Sequence, residues 1–77
     1  MLLNFTNSPA NQGKQQFNII EEFSSLTGAR KMLVCDHLFV EGRAVYEKTV
    51  KVLWPQAQSA DIKKLEKFLR LLRKTAH

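Results

Sequence analysis

Few residues in this 77-residue chain could make or break bonds, and their spacing argues against it. Cys35 and His37 are the one thiol and imidazole that lie close in sequence. Two positions apart on a helix, they fall on different faces and cannot act as nucleophile and base. Asp36 and Glu41 have no recognisable paired-carboxylate spacing, and the isolated Gly13, Gly28 and Gly42 form no phosphate-cradling loop. One cysteine with His37 and His77 supplies neither an intrachain disulfide nor a metal-ligand set. The expectation is a protein that is not an enzyme and uses no cofactor or metal, with Cys35 a small core residue.

The chemistry these residues do allow is polyanion binding. Between Ser59 and His77, Lys63, Lys64, Lys67, Arg70, Arg73 and Lys74 face only Asp61 and Glu66. The chain's net charge of +5 is unevenly placed: residues 1–42 sum to −1 and residues 43–77 to +6. Such asymmetry suits a nucleic-acid face, because every phosphate that Lys or Arg neutralises releases counterions. The competing reading is an ordinary solvated face. Just upstream lie Gln56 and Gln58. A Gln amide can bond an adenine edge bidentately, whereas Lys and Arg along a helix mostly hold phosphates. The plainer role for either glutamine is a polar turn.

Helices must position these groups. Ile62, Leu65, Phe68, Leu69 and Leu72 recur at helical spacing, so Ser59–His77 reads as an amphipathic helix, with Ser59 as N-cap and Asp61, Arg73 and Lys74 matching its dipole. Earlier, Phe17, Ile20 and Phe23 mark a short helix from Gln15 to about Ser25. Thr27 caps a second that runs to Val40 or Glu41, and Gly42 takes the left-handed position after it. That second helix carries Ala29, Met32, Leu33, Val34, Cys35, Leu38, Phe39 and Val40, an apolar surface on all sides that predicts the central, buried helix. Residues 44–54 read as helix, with β-branched Thr49, Val50 and Val52 leaving a strand as the alternative, and Pro55 ends them. Tyr46 and Trp54 could stack on bases, but aromatic residues in a chain this small are more often core.

Residues 1–16 have the composition of a flexible N-terminal arm, with a Leu2, Leu3 and Phe5 patch and a mobile stretch from Ser8 to Gly13. Residues 17–77 form the one domain that this length supports. No apolar run reaches membrane-spanning length and the start has no basic n-region, so a cytoplasmic location is the default.

Phe17-x-x-Ile20-x-Glu22-x-Ser24-Ser25-Leu26, then Val40-x-Gly42 and Glu47, resembles the adhesin-operon transcription regulators of the Pap type, and the plasmid regulators of the KorA type share something of that layout. The match covers about residues 17–47. The resemblance implies an all-α domain of three to four helices in a helix-turn-helix arrangement, self-associating and bound to double-stranded DNA. Ala60 and Ile62 would then point inward from the last helix, and Gln56, Gln58, Lys63, Lys64, Lys67, Arg70 and Arg73 would contact DNA.

The rival is a non-enzymatic interaction module, an inhibitor or adaptor of the phage or plasmid type that docks on a protein partner. Leu71 and the Leu2, Leu3 and Phe5 patch are hard to bury in one copy, which also predicts a homodimer or higher oligomer.

Overall fold

The computed structural model describes residues 16–75. The expected arm, its Leu2, Leu3 and Phe5 patch and the stretch from Ser8 to Gly13 lie outside the described residues. Those described form an all-α domain of four helices, with no strand among them. They are α1 (Ile19–Ser24), α2 (Gly28–Asp36), which runs on into a π-helical turn at His37–Glu41, α3 (Arg43–Leu53) and α4 (Ser59–Thr75).

Local chemistry sets each boundary. Asn18 Oδ1 accepts from the Ile20 and Glu21 N–H groups, so α1 begins at Ile19 rather than at Gln15. Thr27 Oγ1 accepts from Arg30 N at 3.3 Å and caps α2, as the sequence predicts. At the far end of α2 the turn widens, and Gly42 N–H bonds the His37 carbonyl five residues back at 2.9 Å. Gly42 leaves this turn at φ 118°, ψ 164°. The positive φ matches expectation, but the extended ψ places it in a region almost confined to glycine rather than in the left-handed helical one.

Residues 44–53 are helical, which settles the choice between helix and strand. Residues 55–56 form the turn, and Pro55 stands outside α4. The N-cap of α4 is Gln58 rather than Ser59: the Ile62 N–H bonds the Gln58 carbonyl at 3.0 Å, and Asp61 Oδ2 accepts the Gln58 N–H at 2.9 Å.

One core joins the helices. Ile19 and Phe23 of α1, Val34 of α2, Leu38 of the π turn, Tyr46 and Val50 of α3, Trp54 and Ala57 of the turn, and Ile62, Leu65 and Leu69 of α4 are buried together. Phe23 meets Phe68 edge-on at 6.3 Å and ties α1 to α4. The aromatic residues Tyr46 and Trp54 are core, and Cys35 packs, partly buried, against that core.

Three expectations need correction. The second helix is not buried all round. Val34 and Leu38 point inward, but Ala29, Met32, Leu33 and Val40 are exposed, because α2 and its π turn lie against α3 on one side only. Leu72 is 46% exposed, since α4 outruns the core after Leu69. Ala60 is exposed, and the inward place beside Ile62 is taken by Ala57 in the turn.

Candidate nucleic-acid interface

The side of α4 that faces the π turn forms a groove of about 640 Å³, lined by Phe39, Lys63, Glu66, Lys67, Arg70, Leu71, Arg73 and Lys74. The stripe of Lys63, Lys67, Arg70 and Lys74 follows from spacings of four, three and four, which keep one helix face in line. Over those positions α4 rises ~16 Å. Phe39 projects from the π turn into this stripe. The Arg73 guanidinium lies 4.6 Å from the ring centroid and that of Arg70 5.8 Å. Both guanidinium groups thus sit over the face of the ring, and cation–π attraction restricts them there.

Glu66 is the one acid in the groove lining and the hub of an ion-pair chain. Its Oε1 accepts from Arg43 Nε at 2.7 Å, and its Oε2 from Arg70 Nε at 3.1 Å and Nη2 at 2.9 Å. Arg43 also pairs with Glu47, four residues on. The hydrogen bond from Arg43, helped by that from Arg70, holds the Glu66 carboxyl below its ordinary range, and the same contact with Glu66 raises the Arg43 guanidinium. Arg70 is therefore partly committed within the protein. Among the described residues, Lys63, Lys67, Arg73 and Lys74 take part in no salt bridge.

One buried contact ties α4 to α3, and a part-buried one ties α3 to the turn between them. The Tyr46 hydroxyl, on a fully buried side chain, donates to the Ile62 carbonyl at 2.6 Å. Burial, with the nearby Glu66 charge, pushes its ionisation well above the usual tyrosine range. Lys51 Nζ donates to the Ala57 carbonyl at 2.9 Å and closes the turn. A second recess of about 260 Å³ lies between these helices, lined by Arg43, Glu47, Lys51, Ser59, Ile62 and Lys63.

Of the residues singled out from sequence, Lys63, Lys67, Arg70 and Arg73 come together in the groove, while Lys64 is exposed on α4 and does not line it. Gln56 and Gln58 are exposed in the turn, apart from the groove, and the Gln58 amide contacts the Gln56 carbonyl at 3.5 Å. Sequence reasoning missed Phe39 and Lys74 as lining residues and Arg43 as the partner of Glu66. Lys74 was available from its spacing to Arg70. Phe39 was not, because only the π turn directs it at α4. Compared with family models, curated proteins and solved structures, the chain finds no match.

Proposed function

We propose that this chain is a small DNA-binding protein of the regulator kind, holding double-stranded DNA along α4. The observation that carries this reading is the groove itself, which five cations, a single acid, Phe39 and Leu71 line. Phosphates replace water at Lys63, Lys67, Arg73 and Lys74, and the counterions they release drive binding. The succession of α3, a five-residue turn and α4 fits the helix-turn-helix layout that the resemblance implies. The cations run along most of α4 rather than clustering at its start, which favours grip on the backbone over base readout. Gln56, Gln58 and Lys64 are left as the groups nearest the helix start for contact with base edges. The protein-interaction reading draws on a separate feature, the exposed apolar side chains of α2 and α3.

Fluorescence anisotropy with a labelled duplex at physiological salt tests the proposal. Random-sequence DNA is expected to bind with Kd between ~10⁻⁴ and ~10⁻⁶ M, the range of non-specific binding. Absence of binding tighter than ~10⁻⁴ M overturns it.

A further inference from the structure

The hairpin made by α2, its π turn and α3 carries two exposed stripes that match in spacing and oppose in charge. On the first helix the order is Leu33, Asp36, His37, Val40; on α3 it is Val45, Lys48, Thr49, Val52. Each places an apolar residue, a charge three positions on, a polar residue next to it, and a second apolar residue three further on. The polar residues join the stripes, because His37 Nδ1 bonds Thr49 Oγ1. Thr49 spends its own proton on the Val45 carbonyl at 3.0 Å, so it accepts from His37, whose Nδ1 carries the hydrogen. The stripes are thus one surface rather than two unrelated helix faces.

That surface is apolar and open. Val52 is 79% exposed, Val40 73%, Leu33 45% and Val45 37%. Asp36 and Lys48 flank it, and neither takes part in a salt bridge among the described residues. We infer that this face is the seat of a second copy of the chain, in a two-fold dimer whose axis passes near the His37–Thr49 bond. A two-fold interface must be complementary to itself. Laying α2 of one copy on α3 of the other sets Leu33 and Val40 against Val45 and Val52, and Asp36 against Lys48, twice over.

The area agrees. The four apolar residues of the stripes offer on the order of 400 Å², well within what one patch on a monomer carries. At the ~60% apolar share of a protein interface, that implies ~700 Å² per partner, within the size range of a standard stable contact. The inference does not depend on the DNA reading, since none of these residues lines the basic groove.

Sedimentation equilibrium of the full chain tests it. The wild type is expected at twice the 8.9 kDa chain mass at tens of micromolar. Val52→Asp and Val40→Asp, at positions already exposed, should each weaken association at least tenfold with helix content unchanged by circular dichroism. Asp36→Lys and Lys48→Asp should each weaken it, and the double exchange should restore it. A monomer at every concentration up to about 1 mM overturns the inference. So does a dimer indifferent to the Val40 and Val52 variants, which would place the contact elsewhere, or a double charge exchange that fails to restore association.

Discussion

Replacing Glu66 by Gln should move stability and DNA affinity in opposite directions. Glu66 binds Arg43 and Arg70 at once, through side chains that are 17% exposed for Glu66, 41% for Arg43 and 54% for Arg70. Pairs this open to solvent are worth little each, so Glu66→Gln should lower Tm by only a few degrees. Its effect on the groove is larger. The substitution deletes the one acid of the lining and releases the Arg70 guanidinium, which adds about one phosphate contact. With a slope of ~0.9 per contact, one more contact strengthens binding about eightfold at 0.1 M salt and steepens log K against log[salt] by ~0.9.

The pH dependence follows the same logic. Because its arginine partners lower the folded-state pKa of Glu66, its contribution to stability is full above the unfolded value of ~4.3 and lost as pH falls through the folded one. The variant should therefore lose less stability than the wild type on acidification below that value. Anisotropy titrations at several salt concentrations, with thermal melts from pH 7 down to pH 3, read all three effects. A Glu66→Gln protein that binds DNA no better than wild type, with an unchanged slope, would refute the idea that Glu66 restrains the groove.

Tyr46→Phe keeps the buried ring and removes the donor to Ile62, so urea unfolding should show a loss of about 1 kcal/mol. The neutral phenol is favoured in the fold, so wild-type stability is complete below pH ~10 and falls as pH rises further, a decline that the Phe variant should not share. Gly42→Ala meets no neighbouring atom, yet must hold φ 118°, and should cost ~1–3 kcal/mol in the same assay from backbone strain alone. Ala at Gln56 should cost ~1–3 kcal/mol on a preferred duplex and nothing on random DNA, with the salt slope unchanged, if that side chain reads a base.

Much of the fold was legible because capping and periodicity are local. Thr27, Gly42 and Pro55 mark ends that a reader of the chain can find, and the 3.6-residue period separates Ile62, Leu65 and Leu69 from the lysines. What could not be read depended on distant partners. The apolar surface of α2 suggested burial on all sides, but only the placement of α3 decides that Val34 enters the core while Met32 stays outside. Likewise the stripe of cations on α4 is visible in the sequence. That Phe39 stands among them, and that Arg43 reaches Glu66 from another helix, depends on tertiary geometry.

The central claim is that the α4 groove, and not overall positive charge, holds the DNA backbone. The direct test compares the salt dependence of duplex binding for Lys67→Ala, in the groove, with that for Arg30→Ala, at the start of α2 and outside it. Both remove one positive charge. The groove account predicts that the slope of log K against log[salt] falls by ~0.9 for Lys67→Ala and stays at the wild-type value for Arg30→Ala. Equal losses in the two variants would contradict it.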